Sequence, residues 1–176
     1  MTTILLDLGR RAYGQVWGLQ KQLVNMRASD QVQDLLILLE HDHVITLGRK
    51  TSQENFRPQN IPVFQVERGG DATYHGPGQL VGYPIIKLKD RDMHKLLRQL
   101  EEVLIRTSSD FSIGATRREG HTGVWADGKK LGSIGVAVSN WITYHGFALN
   151  VNTDLKYFRL INPCGLDPDT MTSMKK

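Results

Sequence analysis

The sequence has a single cysteine, Cys164. No disulfide can form within the chain, which favours a reducing, cytoplasmic setting. Long apolar runs are missing too. The longest, Leu35 to Leu39, is far too short to cross a membrane. The opening Met1-Thr2-Thr3-Ile4 has no basic region leading into an apolar stretch, so it does not read as a signal peptide. Charge of one sign is scarce: 22 Lys and Arg stand against 18 Asp and Glu, a net charge of +4. No basic stripe is interleaved with aromatics, so nothing points to nucleic acid. The charge suits mildly acidic protein partners or simply a solvated basic surface. Repeats, low-complexity tracts and linkers are absent. The 176 residues are therefore most simply one domain, 1–176, with room for a sizeable core.

What is there is strand-rich. Ile4 to Leu8 reads as a short strand. Val16, Leu19, Leu23 and Met26 recur at helical steps, which predicts a helix over about Tyr13 to Arg27. Asp34 to Leu39 reads as a strand buried on both faces, and His43 to Leu47 as the next. A polar loop from Gly48 to Asn60 leads to a strand at Ile61 to Glu67. A further strand covers Gln79 to Leu88. Asp92 can cap a helix whose apolar face is Met93, Leu96, Leu97, Leu100, Val103 and Leu104, ending near Ser108. Short strands follow at about Ala115 to Arg118, Gly123 to Ala126, Lys130 to Val138 and Trp141 to Val151. Asp127-Gly128 is a tight-hairpin signal between two of them. A short helix is expected around Leu155 to Leu160. Two helices that do not alternate regularly with the strands suggest an α+β domain, a mixed and largely antiparallel sheet with helices packed on it.

The stretch Arg68 to Tyr83 is the most unusual. Gly69-Gly70 and Gly76-Pro77-Gly78 bracket the polar run Asp71 to His75, with apolar strand-like residues on both sides. Glycine serves where backbone turns sharply or approaches a ligand closely. The pattern fits a wall of backbone against which something lies. It also fits a bulged, twisted hairpin with no ligand.

Several residues can carry chemistry, each with a plainer reading. Cys164 is either a small buried hydrophobe or a nucleophile held at the Asn-Pro-Cys-Gly turn. There, backbone N–H groups could face an oxyanion. A thiol of pKa ~8.5 then needs a nearby cation. Lys129 and Lys130 must point to opposite faces of a strand, so one can face a site. Pattern alone does not choose between them, and both can be exposed. Gly123 to Lys130 has phosphate-loop spacing up to its last residue, but Lys130 stands where Ser or Thr would meet magnesium, so that reading is rejected. His41 and His43 could offer two imidazoles to a metal, without a third ligand at telling spacing. His75 and His145 read as hydrogen-bonded structural residues. Gly146, inside the last long strand, marks either a bulge or a close ligand.

Four stretches together resemble the lipoyl (octanoyl) transferase family, related to the lipoate-protein and biotin-protein ligases. They are Arg68 to Gln79, Lys130-Leu-Gly-Ser-Ile-Gly135, His145-Gly-Phe-Ala-Leu-Asn-Val151 and Asn162-Pro-Cys-Gly165. Glu40 to Gly48 is similar to the family's earlier strand–turn–strand. The resemblance implies the ligase-type catalytic fold, with Cys164 as the acyl-carrying nucleophile and Lys130, not Lys129, as its partner. It implies an acyl site lined by Arg68, Gly69, Gly70, Asp71, Ala72, Thr73, Tyr74 and His75, by Ser133, Ile134 and Gly135, and by Gly146, Phe147 and Ala148. The implied reaction moves an octanoyl group from octanoyl-acyl carrier protein to a lysine of a lipoyl domain. The acceptors would be 2-oxoacid dehydrogenase complexes and the glycine cleavage H protein. No cofactor is implied, because the donor is already a thioester. Family members run further past the cysteine than Lys176, so a missing C-terminal tail is expected.

Overall fold

The computed structural model describes residues 3–51, 60–161 and 168–175. Within them, β1 (Ile4–Arg11), α1 (Tyr13–Ala28), β2 (Leu35–His41), β3 (Val44–Leu47), β4 (Val63–Gln65), β5 (Thr73–His75) and β6 (Gln79–Ile85) are followed by α2 (Met93–Asp110). Then come β7 (Ala115–Arg118), β8 (His121–Ala126), β9 (Lys129–Ser139), β10 (Ile142–Asn150) and a short 3-10 helix, Leu155–Leu160. Seven strands form one sheet in the order β1-β2-β6-β10-β9-β8-β7. Only β1 and β2 run parallel, joined through α1; the remaining neighbours are antiparallel. The fold is the α+β arrangement that the strand-rich pattern suggested.

Alternation along the strands places the helices. Leu35, Ile37 and Leu39 of β2 pack with Val16, Leu23 and Val24 of α1. The intervening Leu36 and Leu38 lie with Leu96, Leu100 and Leu104 of α2. Successive strand residues face opposite ways, so α1 and α2 cover opposite faces. The central strands are buried between them. Asp92 caps α2 by accepting a hydrogen bond from the Lys95 N–H at 2.9 Å.

Some expectations shift. Met26 and Val103, placed on apolar helix faces, are exposed, while Gln20 and Glu101 are buried there instead. The strand expected over Ile61 to Glu67 shortens to β4. It does not form a hairpin with β6: β3, β4 and β5 make a separate small sheet. β3 pairs parallel with β4 and antiparallel with β5. The turn at Gly69-Gly70 sends the chain back to β3, and the turn at Gly78 carries it into the large sheet. Gly70 and Gly78, at φ 83 and 79, take the left-handed backbone that these reversals need. Among the described residues, no helix is long and apolar enough to cross a membrane.

Candidate active site

The Asp127-Gly128 turn sets the first wall. Both residues have positive φ, 48 and 74, the conformation of a type I′ hairpin. β9 therefore starts in a defined register. Lys129 faces solvent, whereas Lys130 is only 5% exposed and lines a cavity of about 510 Å³. The Lys130 ammonium lies 5.7 Å from the Trp125 ring centroid, within cation–π range. The Lys130 carbonyl accepts a hydrogen bond from the Thr172 N–H at 3.0 Å, and Met171 bridges to Lys130 in parallel. Cys164 lies outside the described residues. The chain nevertheless returns to Lys130 soon after it, at Met171.

Further along β9, Ser133, Ile134 and Gly135 line the same cavity. Gly146, Phe147 and Ala148 of β10 join them, as do Arg68, Gly69, Gly70, Asp71, Ala72, Thr73 and His75. The turn at Gly69 is stitched to β9 by its N–H, which donates to the Val136 carbonyl at 3.2 Å. Gly135 permits this approach: a Cβ there would sit 3.1 Å from Arg68 Cδ and 3.2 Å from the Gly69 carbonyl oxygen. Arg68 is buried. Its guanidinium donates to the Thr46 carbonyl at 2.7 Å and hydroxyl at 2.9 Å, and to the Gly69 carbonyl at 3.1 Å. Its charge is thus tied to the wall itself.

Tyr74 does not line the cavity. Strand alternation turns it into the core formed with Ile45, Phe158 and Ile161. Its hydroxyl meets His43 Nδ1 at 2.7 Å, and its ring stacks on Tyr157.

His75 is buried and lines the cavity. Its Nδ1 lies 2.7 Å from Gln79 Oε1. Gln79 Nε2 donates to the Tyr74 carbonyl and to Asn150 Oδ1, so its oxygen faces His75 and Nδ1 must carry the proton. Asn150 in turn donates to the Thr172 carbonyl at 3.0 Å. A hydrogen-bond chain thus links the cavity to the segment that pairs with Lys130. Burial pulls the His75 imidazole down to about 3, helped by the nearby His41.

Other lining residues carried no motif signal. Tyr13 and Tyr83 join His75 and His145 in an aromatic end. Met93 and Leu97 of α2, with His121 and Thr122 of β8, form another side. His145 adopts left-handed backbone, φ 54, a costly conformation for a residue with a side chain. Its N–H donates to Gln20 Oε1 at 2.7 Å, and its Nε2 lies 3.4 Å from Glu67 Oε2. Burial holds His145 and His41 each down to about 4. These imidazoles are neutral near pH 7.

His41 and His43 do not share a metal site. The Arg11 carbonyl takes the His41 Nδ1 proton at 3.0 Å, and His41 Nε2 then accepts from the Tyr83 hydroxyl at 2.8 Å. His43 instead pairs with Tyr74. Gly123 to Lys130 is strand, turn and strand, not a loop entering a helix.

Residues 12–176 match the Lipoyl protein ligase A/B catalytic domain family. An octanoyltransferase of Rubrobacter xylanophilus is 48% identical over 177 residues, covering 96% of this chain and 80% of the relative. Among solved structures, a lipoate-protein ligase A bound with ATP superposes with a TM-score of 0.77 at 17% identity, over 99% of this chain and 77% of that one. A bipartite lipoate protein ligase of Thermoplasma acidophilum, studied with its E2 lipoyl domain, gives 0.71 at 20% identity, over 92% and 66%. These structural likenesses concern the fold alone.

Proposed function

The chain belongs to the lipoyl protein ligase A/B catalytic domain family, and we propose that it transfers an octanoyl group from octanoyl-acyl carrier protein to a lysine of a lipoyl domain. The observation that carries this reading is Lys130: a lysine buried in the wall of a cavity large enough for an acyl chain, which is lined also by His75 and His145, imidazoles that burial keeps neutral. Burying a lysine is costly unless its ammonium is paired or hydrogen-bonded. Octanoyl transfer is also the activity named for its near-half-identical relative.

The mechanism needs two exchanges. In the first, the Lys130 ammonium favours the thiolate form of Cys164. That thiolate attacks the donor thioester carbon, the carrier's thiolate leaves and takes a proton from the Lys130 ammonium, and an octanoyl thioester forms on Cys164. In the second, the acceptor's lysine amine attacks the new thioester. The Cys164 thiolate leaves, and the Lys130 amine, neutral after the first exchange, accepts the proton the attacking amine gives up and so restores the ammonium–thiolate pair. Both steps start from a thioester, so ATP has no part. Ile134 and Phe147, with Met93 and Leu97 opposite, supply apolar surface for the chain. Each buried CH₂ is worth roughly 0.8 kcal/mol, on the order of 5 kcal/mol for an octanoyl chain before ordering costs. The backbone run from Gly69 to Thr73 and Ser133 to Gly135 would form the close wall of that site. Acceptors would be lipoyl domains of 2-oxoacid dehydrogenase complexes and the glycine cleavage H protein.

Intact-protein mass after mixing with octanoyl-acyl carrier protein, without ATP, tests this. We expect one added octanoyl group, released by hydroxylamine, absent in Cys164→Ser and passed on to a lipoyl domain. Labelling of a lipoyl domain from free octanoate and ATP, surviving Cys164→Ser, would instead make the chain a ligase. Saturable acyl binding with neither reaction would make it a binding module.

A further inference from the structure

Glu101 is a charged residue where α2 should be apolar. It lies on the helix face that carries Leu100 and Leu104 and is only 2% exposed. A buried carboxylate is costly unless its oxygens are satisfied, and here they are. Oε2 accepts from Arg98 Nη1 at 2.7 Å and from Arg117 Nε at 3.2 Å. Oε1 accepts from the Gly123 N–H at 3.2 Å. The two arginines explain how the charge is tolerated; the Gly123 bond indicates what it does.

Gly123 lies where β8 departs from regular pairing. On one side, β7 pairs Arg118 with His121 and Thr116 with Trp125, leaving extra residues on β8 between those pairs. On the other, β9 pairs Gly132 with Val124 and Lys130 with Trp125, leaving Leu131 as an extra residue on β9. Such bulges re-aim side chains. At Gly123 the backbone has φ 127, a conformation that residues with side chains rarely adopt. Its N–H would otherwise be a buried donor freed from the ladder. The vacancy of its missing Cβ is taken up by neighbours: a Cβ would be 2.5 Å from the Gly132 carbonyl oxygen and 3.0 Å from Lys130 Cε. The lysine side chain therefore runs directly across this glycine on its way to the cavity.

We propose that Glu101 is a positioning residue for Lys130: its buried carboxylate anchors the Gly123 bulge over which the lysine side chain is laid. The inference rests on the reading of Lys130 as the partner of the transferring thiol. Glu101 touches neither substrate nor the reacting atoms. It acts through one backbone N–H, that of Gly123.

The test compares Glu101→Leu and Glu101→Gln with the parent chain. Leucine suits the apolar helix face and leaves the two arginines, both part-exposed, to solvent, but gives the Gly123 N–H no acceptor. Glutamine restores an oxygen acceptor. A cooperative thermal melt establishes folding of each variant. For Glu101→Leu we expect kcat for octanoyl transfer to fall by about 10²-fold, the scale of an ångström-sized misplacement. KM for octanoyl-acyl carrier protein should hold within about two-fold, and Glu101→Gln should recover most of the rate. A second readout does not need activity: competitive acetylation by acetic anhydride, read by peptide mass. Labelling of Lys130 relative to Lys129 should change in Glu101→Leu and return in Glu101→Gln. Parent-like labelling of Lys130 in a folded Glu101→Leu, a full transfer rate, or a loss confined to KM would each overturn the inference. Should the parent chain transfer nothing, the proposed function fails, and the labelling comparison still decides whether Glu101 places Lys130. Should Glu101→Leu not fold, Glu101→Gln with both readouts lost would overturn the anchoring role of the oxygen.

Discussion

Lys129 and Lys130 are chemically identical, and the environment separates them. Lys130 is packed among Trp125, Gly123 and the returning segment at Met171, while Lys129 is exposed. Lys130→Ala is therefore expected to lower octanoyl transfer by roughly 10²–10⁴-fold, the range for losing a group that moves a proton. Lys129→Ala should leave stability within about 0.5 kcal/mol and transfer nearly intact. Single-turnover rates and urea unfolding of both variants check the pair. Equal loss in both would remove the special place of Lys130.

At the scale of the element, α2 matters because it backs the half of the sheet that carries Lys130. Its anchor is Leu104, 2% exposed within the cluster that includes Val124, Leu131 and Phe147. Leu104→Ala should cost about 2–5 kcal/mol through lost burial and the cavity left behind, read as a lower urea midpoint. Its start depends on Asp92, whose carboxylate accepts the Lys95 N–H. Asp92→Ala should cost about 1 kcal/mol, typical for an N-cap. A cap loss as large as the core loss would mean that α2 is held from its end rather than by its packed face.

For the whole molecule, the buried imidazoles tie stability to pH. Burial holds His41 and His145 down to about 4 and His75 down to about 3, whereas an unfolded histidine titrates near 6.5. Between those values the unfolded chain binds more protons than the folded one, so stability rises with pH. The contribution of neutral burial is complete above about pH 6.5 and is lost as pH falls toward about 4. Unfolding free energies from denaturant titrations between pH 7.5 and 5 should fall below about pH 6.5, on the order of 1 kcal/mol per pH unit for each histidine that stays neutral in the fold. Substituting His75 by Gln should flatten that slope. A slope unchanged in His75→Gln would place the sensitivity elsewhere.

The sequence by itself determined the elements and the chemistry that strand and turn signals carry. Helical spacing marked α1 and α2, Asp92 marked the start of α2, and Asp127-Gly128 marked the hairpin that aims one lysine inward. The glycine-rich run from Arg68 marked backbone that lines the cavity. These are local signals, set by dihedral preference and the periods of 3.6 and 2. Tertiary structure alone decided what depends on distant partners. It placed β4 and β5 in a separate sheet from β6, turned Tyr74 away from the cavity, and spent His41 and His43 on tyrosine hydroxyls. It also buried Gln20 against His145, 125 positions away, and Glu101 against Gly123. A polar residue on a helix reads as solvent-facing until the group that satisfies it is known, and that group comes from the packing of the whole chain.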